Sequence, residues 1–322
     1  MRPWLKGTSL TALGHNIGRP SRSALLWLTS ADARERFLMS FPDTASQNGS
    51  LDSMQDLSAG RIRRALSAVR QLGPLRLLAL IRQQGARKSI AFAANNIRHM
   101  IAHRLALRWD REHGVDTAGS IQLHSLTVSG PNRNYGNEAV CTSPKTFDFM
   151  MQSLPRDLSG FTFVDIGSGK SRTLLLASRY CFAQIIGVEF AKELAACARR
   201  NIASFRCTRQ RCRDLSLVEA DATQFTFPEA PLVLYFYNPF AQNVFDVVLG
   251  NLTASLKARQ RNCYILYGSS SHNAIGWAKP AILATGMFEE ITAPPMPLFL
   301  DAVRTVNYAV FRARGQEFGN AR

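Results

Sequence analysis

The 322-residue chain carries 39 Lys and Arg residues against 23 Asp and Glu residues, a formal net charge of +16, and 46% of its residues are hydrophobic. This length suffices for one sizeable α/β domain and an additional segment, and no stretch approaches the roughly 18 uncharged apolar residues of a membrane span. The six cysteines follow no secretory signal, which favours reduced thiols in the cytoplasm over a secreted disulfide protein.

An extension without sustained periodicity is predicted for residues 1–60. It ends in a run rich in Ser, Asp and Asn, from Asp43 to Ser53, whose composition favours disorder. Residues 1–31 contain basic residues, Ser and Thr but no acid, which is also typical of an organelle transit peptide. A disordered extension and a targeting sequence therefore both remain open.

Residues 61–115 are predicted to form a basic helical extension. Apolar residues recur at three- and four-residue spacing from Ile62 to Leu72, and Gly73-Pro74 then interrupts the pattern. Apolar residues mixed with arginines return at Leu75–Ile81 and Ile97–Leu107. These short helices are expected to cover the domain that follows.

The basic excess lies mainly in the N-terminal part of the chain. Residues 1–120 hold 18 Lys and Arg against 8 Asp and Glu, whereas the other 202 residues hold 21 against 15. Such a field favours a nucleic acid, an anionic membrane surface or another acidic partner. The alternative is a solvated, arginine-rich helical face, because no aromatic residues interleave with the basic ones as in a nucleic-acid-binding motif.

Beyond Asp116 the sequence alternates between short apolar runs and helical stretches, as in βαβ units around a mainly parallel sheet. We predict a Rossmann-like α/β domain over residues 116–314, with a seven-stranded, mostly parallel sheet and an antiparallel edge strand, and a tail over residues 315–322. Helices are predicted to begin near Ser171, Lys192, Gln242 and His272, and a turn is predicted after Asp221. The predicted strands, of which the last two form an antiparallel hairpin, are Phe161–Asp165, Gln184–Glu189, Ser216–Glu219, Leu232–Tyr235, Cys263–Leu266, Phe288–Ile291 and Val306–Phe311.

The strongest chemical signal follows the first of these strands, in the run Val-Asp-Ile-Gly-Ser-Gly-Lys. The strand ends on Asp165, Gly167 and Gly169 allow the backbone to turn tightly against a ligand, and the N-terminus of the next helix faces the loop. This arrangement is typical of a nucleotide-cofactor site, although a purely structural strand–turn–helix would also produce it.

Two phosphate-binding interpretations fail at single positions. A P-loop needs glycine five residues before Gly169, where Val164 stands, and a dinucleotide fingerprint needs glycine where Arg172 stands. The Asp165 carboxylate would also repel a pyrophosphate. It suits a cationic amino-acid group instead, through Coulomb attraction and charge-assisted hydrogen bonds.

Carboxylates also follow the next two strands. Glu189 ends a strand about 20 residues after the glycine loop, where a ribose diol could be hydrogen-bonded, although alone it could be a surface acid. Asp221 could accept the amino group of an adenine while the Ala222 backbone donates to the ring. The alternative for Asp221 is a helix N-cap.

From Phe161 to Phe240 these features, followed by Tyr-Asn-Pro-Phe after the fourth strand, resemble the class I S-adenosylmethionine-dependent methyltransferase superfamily. More narrowly, Val-Asp-Ile-Gly-Ser-Gly-Lys, Ile-Gly-Val-Glu-Phe and Tyr-Asn-Pro-Phe are similar to a bacterial group that is distantly similar to the non-SET histone-lysine methyltransferases. The likeness covers about Asp116 to Arg314. The family usually has a third glycine where this chain has Ser171.

The resemblance implies S-adenosylmethionine as the cofactor. No metal is expected, because Cys207 and Cys212 form a lone close cysteine pair without the second pair of a zinc site. In the resembling family, the residue at Asp165 binds the methionine amino group, and Gly167 and Gly169 allow the cofactor to approach the backbone closely. Glu189 would bind the ribose hydroxyls, and Asp221 and Ala222 would bind the adenine. The segment Tyr135–Phe149, just before the first strand, is expected to lie over the cofactor as a lid.

Asn238, Pro239 and Phe240 are the predicted catalytic residues. They resemble the Asn/Asp-Pro-Pro-Tyr/Phe motif of amino-group methyltransferases, in which the Asn side-chain oxygen and the following carbonyl accept hydrogen bonds from the target N–H groups. The resemblance therefore implies in-line methyl transfer to an amino nitrogen of a protein or small molecule. Three alternatives remain open: a motif that merely ends a strand, an O- or C-methyltransferase, and a non-catalytic module that binds nucleic acid or membrane through its basic extension.

Overall fold

The computed structural model describes residues 86–121, 126–128, 132–269, 272–297 and 306–315. The predicted extension of residues 1–60, the helices predicted before residue 86 and the tail after residue 315 lie outside these ranges. The described elements are α1 Ala86–His113, β1 Ser120–Ile121, β2 Ala139–Val140, α2 Pro144–Met151, β3 Thr162–Ile166, α3 Arg172–Ala177, β4 Gln184–Glu189, α4 Lys192–Ser204, β5 Leu215–Glu219, β6 Leu232–Tyr237, α5 Gln242–Ala258, β7 Cys263–Ser269, α6 His272–Ala284, β8 Phe288–Ile291 and β9 Asn307–Ala313. Within these ranges, no helix has both the length and the apolar content needed to span a bilayer.

Seven strands form one sheet in the order β5-β4-β3-β6-β7-β9-β8. Strands β3 to β7 pair in parallel, and β9 is antiparallel to both of its neighbours. The predicted mostly parallel, seven-stranded sheet with an antiparallel hairpin at one side is therefore confirmed.

The edge of that hairpin is β8, and the last strand of the chain, β9, inserts between β8 and β7. Glu289 is half-buried and Glu290 is exposed on β8, whereas Val310 and Phe311 on β9 are fully buried. A charged strand is better placed at an edge, where its unpaired backbone groups face water and its charges discourage pairing with other chains.

Side chains of the parallel strands feed two cores, because successive residues of a strand point to opposite faces of the sheet. On one face Val164 packs with the apolar side of α5 and with α6, and on the other face Phe163 packs with Phe147 of α2 and Leu174 of α3. All five residues of β3 are buried. A strand that is buried on both faces reads as a continuous apolar run, which is how the sequence predicted it.

Helix α1 runs for 28 residues, longer than the short helices that the sequence predicted. No glycine or proline interrupts this segment. It ends where Gly114 adopts a left-handed conformation with φ +71°, and the Val115 N–H donates to the Asp110 carbonyl at 3.0 Å. This is the hydrogen-bond pattern that closes a helix C-terminus on glycine.

The direction of the crossovers changes between β3 and β6. From β3 the chain proceeds through β4 to β5 on one side, and from β6 it proceeds to β7 on the other. In open α/β sheets the crevice at the carboxyl ends of the two strands at such a switch point is where ligands bind.

Candidate active site

A cavity lies at the carboxyl ends of β3, β4 and β6, at this switch point. Its lining contains eight of the nine predicted site residues: Asp165, Gly167, Gly169, Glu189, Asp221, Ala222, Pro239 and Phe240. Asn238 precedes Pro239 directly but does not contribute to the lining. No group of three or more His, Cys, Asp and Glu side chains in the described part of the chain is arranged to hold a metal ion.

The glycine loop after β3 has the backbone that its sequence predicts. Gly167 and Gly169 have φ of +79° and +55°, in the left-handed region that favours glycine. A Cβ on Gly167 would lie 2.5 Å from the Cβ of Pro239, closer than two carbon atoms can approach. The loop after β3 and the loop after β6 therefore touch at this point, which brings the two predicted halves of the site together.

Ser171 stands where the resembling family usually has a third glycine. It has φ +68°, a left-handed conformation that is costly for a residue with a Cβ. It is fully buried, and its hydroxyl has no hydrogen-bond partner among the described residues. The chain therefore holds a residue with a Cβ in a backbone conformation that favours glycine.

Asp165 and Glu189 are buried carboxylates, with 3% and 4% of their surfaces exposed. Burial, and after it the charge of Glu189, raises the pKa of Asp165 to about 8, although the Thr173 side chain lowers it in part. Among the described residues, no Lys or Arg lies within salt-bridge distance of either carboxylate. Buried carboxylates need a compensating charge, so this pair of carboxylates fits a ligand with a cationic group such as that of S-adenosylmethionine.

Glu189 also organises the glycine loop. Its Oε2 accepts from the Gly169 N–H at 2.8 Å, and its Oε1 accepts from the Ala191 N–H at 2.9 Å. Burial raises its pKa, and these backbone hydrogen bonds lower it in part. Each carboxylate oxygen can accept a further hydrogen bond, so this support of the loop leaves room for a ligand hydroxyl.

Asp221 forms the N-cap that was one of its two predicted roles. Its Oδ1 accepts from the Thr223 N–H at 2.9 Å and from the Thr223 hydroxyl at 2.8 Å, at the start of a 3₁₀ turn over Ala222–Gln224. Its Oδ2 accepts from Asn132 Nδ2 at 2.8 Å. The residue also lines the cavity, so the cap does not exclude the predicted contact with an adenine, which stays a prediction.

Asn238 has the left-handed φ of +47° that Asn tolerates better than most residues. Its backbone carbonyl accepts from Asn137 Nδ2 at 2.9 Å, and the Pro239 carbonyl accepts from the Asn137 N–H at 2.9 Å. The Asn238 Oδ1 accepts from the Tyr267 hydroxyl at 3.4 Å. The successive carbonyls of Asn238 and Pro239 thus bind Asn137 of the segment before α2, while the Asn238 side-chain oxygen binds Tyr267 of β7.

Residues 132–142, which we call the strap, cross the cavity between α1 and α2. Gly136 forms an antiparallel bridge with Phe240, and the Ala241 N–H donates to the Tyr135 carbonyl at 2.8 Å. At its end, Thr142 Oγ1 lies 3.0 Å from the Tyr235 hydroxyl. The strap corresponds to the first part of the predicted lid, whereas α2 is packed into the core through Phe147 and Met150.

A buried ion pair below the cavity was not predicted. Arg172 Nη2 lies 2.8 Å from Asp110 Oδ1, its Nε donates to Thr117 Oγ1 at 2.6 Å, and its guanidinium lies 4.6 Å from the centre of the Trp109 ring. Arg172 and Asp110 are 3% and 5% exposed. This pair, which we call the latch, attaches α1 to the first residue of α3. Position 172 had excluded a dinucleotide site, but nothing in the sequence linked it to a residue 62 positions earlier.

Residues 164–260 match the family model of a methyltransferase domain. Similar solved structures include a precorrin-6y C5,15-methyltransferase from Geobacter metallireducens GS-15, with 14% identity over 60% of this chain and 94% of that chain and a TM-score of 0.40. Another is an S-adenosylmethionine-dependent methyltransferase from Mesorhizobium loti, with 11% identity over 53% and 98% of the two chains and a TM-score of 0.39. No curated protein matches the chain.

The narrower resemblance to the non-SET histone-lysine methyltransferases stays a prediction. The matched domain contains the glycine loop, Glu189, Asp221 and the Asn238-Pro239-Phe240 run, and the sheet around it has the mostly parallel, Rossmann-like order. The chain therefore carries a methyltransferase domain over residues 164–260.

Proposed function

We propose that this methyltransferase transfers the methyl group to an amino nitrogen, on a protein or a small molecule, held beside Asn238, Pro239 and Phe240. The observation that carries the proposal is the pair of carbonyls of Asn238 and Pro239, which both accept from nitrogens of Asn137 at 2.9 Å. A primary amine has two N–H groups for two such carbonyls and keeps its lone pair for the methyl group. A hydroxyl has one donor and a carbon acceptor has none, so neither can donate a hydrogen bond to each of the two carbonyls, whose second lone pairs Asn137 leaves unused.

In this proposal Asp165 binds the methionine amino group of the cofactor, because it is a buried carboxylate without a cation of its own. Glu189 accepts the ribose hydroxyls with the lone pairs that Gly169 and Ala191 leave unused. Asp221 and Ala222 contact the adenine. Gly167 and Gly169 provide the close approach of the backbone to the cofactor.

When bound, S-adenosylmethionine would supply a methyl group on a sulfonium for in-line transfer, with the neutral thioether as the leaving group. The chain contributes alignment, since the contact between Gly167 and Pro239 joins the cofactor loop to the acceptor loop. The two carbonyl dipoles stabilise the positive charge that develops on the attacked nitrogen. A neutral amine needs no side-chain base, and the strap excludes water while it covers the cavity.

The acceptor can be identified by incubating the enzyme with methyl-labelled cofactor and a cell lysate. Label is then separated into protein, nucleic acid and small molecules, and the labelled atom is identified in the hydrolysed products. A cytosolic fraction comes first, since all six cysteines are free and suit a reducing compartment. N-methyl products support the proposal, whereas O- or C-methyl products contradict it.

Variants of Asn238 distinguish the roles of its carbonyl and its side chain. Asn238→Ala places a Cβ at φ +47° without the side-chain hydrogen bond to Tyr267, and we expect it to lower kcat while the cofactor Kd is unchanged. Asn238→Gly keeps the backbone conformation, and we expect it to retain most of the activity. Cofactor binding without turnover on any acceptor, unaffected by Asn238→Ala, would support the non-catalytic module instead.

A further inference from the structure

A second concentration of charge lies away from the cavity, at the end of α4 and in the loop that leads to β5. Residues 199–213 contain no lysine and no acid but six arginines: Arg199, Arg200, Arg206, Arg209, Arg211 and Arg213. We call residues 205–213 the arginine loop. It belongs to the α/β domain and is separate from the basic N-terminal extension.

The backbone of the arginine loop is held in place while its arginines face solvent. The N–H groups of Arg211 and Cys212 both donate to the Ser178 carbonyl, at 2.7 and 3.0 Å. Cys212 is buried, and the arginines on either side of it, Arg211 and Arg213, are exposed. The two arginines therefore present their side chains to solvent on either side of an anchored residue.

An open cleft beside the loop is lined by Arg179, Tyr180, Arg209 and Arg211, together with Asp148. Asp148 is paired with Arg179 and also accepts from the Tyr180 hydroxyl at 2.9 Å. The four arginines of the arginine loop have no salt bridge with any acid in the described part of the chain. The cleft thus offers uncompensated guanidinium groups around a half-buried aromatic ring.

The composition of this surface favours a nucleic acid over a protein or a membrane. The large apolar side chains that are exposed among the described residues lie elsewhere in the chain. A protein interface needs an apolar centre, and a membrane-bound surface needs apolar residues to insert. Nucleic-acid interfaces are polar and strongly positive, guanidinium groups bind phosphates in a bidentate manner, and a tyrosine ring can stack on a base.

The position of the arginine loop argues for a polymer. The loop precedes β5, so it lies at the amino edge of the sheet, while the cavity lies at the carboxyl edge. Five residues of strand at about 3.3 Å each separate the two edges by roughly 17 Å. A small anion in the cavity would not reach the loop, whereas a strand of several nucleotides bound at the loop is long enough to extend that far without being the methyl acceptor.

We propose that the arginine loop and its cleft bind the phosphate backbone of a nucleic acid. The proposal goes beyond the proposed function, because it does not depend on which atom the enzyme methylates. Binding of the full chain to a fluorescently labelled, 20-nucleotide single-stranded RNA, measured by anisotropy at several salt concentrations, tests it.

The test variant is Arg209→Gln/Arg211→Gln, and the matched control is Lys257→Gln/Arg259→Gln, which removes the same charge from exposed residues around the end of α5. Loss of two phosphate contacts is expected to reduce the slope of log K against log salt by about 1.4 and to weaken binding roughly 25-fold at 0.1 M salt. The control is expected to change the Kd less than threefold. Arg209→Lys/Arg211→Lys is expected to keep the slope and to lose part of the affinity.

Equal losses of affinity in the test and control variants would overturn the proposal, and so would wild-type binding that does not respond to salt. Binding to vesicles with anionic headgroups that depends on Arg209 and Arg211, without RNA binding, would also overturn it in favour of a membrane. An unchanged melting temperature of each variant shows that lost binding does not come from unfolding.

Discussion

The floor of the cavity and the strap above it are built from different interactions. The floor, from Asp165 to Arg172, is buried at six of its eight residues and is held by the buried carboxylate of Glu189 and by the latch. In the strap, Tyr135, Asn137 and Glu138 are exposed, and a few hydrogen bonds hold the segment in place. Segments with few buried contacts open at low cost, whereas buried networks do not. In the proposed site, this difference predicts that the cofactor side is formed in advance and that the acceptor side opens.

The largest expected effect comes from breaking the latch. Arg172→Ala leaves Asp110 as a buried, uncompensated charge, and we expect a loss of about 3–5 kcal/mol in the free energy of unfolding. Urea unfolding measures it. Replacing both partners, as Arg172→Met/Asp110→Asn, should restore part of the stability, because the Asn side-chain oxygen can still accept from the Thr117 and Ala118 N–H groups. The half-buried pair of Arg312 and Glu289 at the edge of the sheet is the control, because Arg312→Ala should cost about 1 kcal/mol or less.

Asp165 tests the chemical role of the floor. Asp165→Ala removes the carboxylate that faces the cationic group in the proposed site, and the cofactor affinity should fall about 100-fold or more, as for a buried charged hydrogen bond. Titration calorimetry measures the Kd. The exposed Asp214 provides the control variant, Asp214→Ala, for which no change is expected. Wild-type affinity in Asp165→Ala would remove this residue from the site.

The pKa of Asp165 predicts how stability without cofactor depends on pH. Because the folded protein raises this pKa from 3.8 to about 8, the unfolded chain releases the proton at a lower pH than the folded chain. Stability should therefore fall as the pH rises from about 4 to about 8. Melting temperatures across this range measure the fall, and the slope should flatten in Asp165→Asn and with bound cofactor. The same slope in Asp165→Asn would assign the dependence to another group.

Ser171 tests the strain in the floor. Ser171→Gly relieves a left-handed φ and removes a buried hydroxyl without a described partner. The greater freedom of glycine in the unfolded chain offsets part of this gain. We expect a net stabilisation of about 1 kcal/mol in urea unfolding. Ser171→Ala, which removes the hydroxyl but keeps the Cβ, should gain less, and an equal gain would show that the backbone conformation is not the cause.

The smallest effect is expected in the strap. Asn137→Ala removes the hydrogen bond from Nδ2 to the Asn238 carbonyl, which at an exposed position is worth about 0.5–1 kcal/mol. Hydrogen exchange at the strap amides should accelerate about two- to fivefold, with no change at the glycine loop. Asn134→Ala, an exposed neighbour in the strap, should leave exchange unchanged. Equal acceleration at the strap and at the glycine loop would mean that the strap and the floor open together.

Local patterns were enough to predict most of the sheet. β4 and β8 begin and end at the predicted residues, and α4, α5 and α6 begin at the predicted ones, because short apolar runs and helical spacing are properties of neighbouring residues. The sequence did not predict that β9 is the inner strand of the hairpin, next to β7, and that β8 is the edge strand. This order depends on which strand tolerates an exposed edge, and that is decided by the charges of β8 against the fully apolar centre of β9.

The order of residue types along the chain also predicted that the carboxylates and glycines after the strands lie close together, since parallel strands bring their carboxyl ends to one edge of the sheet. Only the tertiary structure decided which groups those residues meet. Asn132 reaches Asp221, Asn137 reaches the two carbonyls after β6, and Arg172 reaches Asp110 across 62 positions. Each contact joins segments that have no pattern in common. Their pairing follows from packing, because each of these polar groups takes the partner that the fold brings within reach.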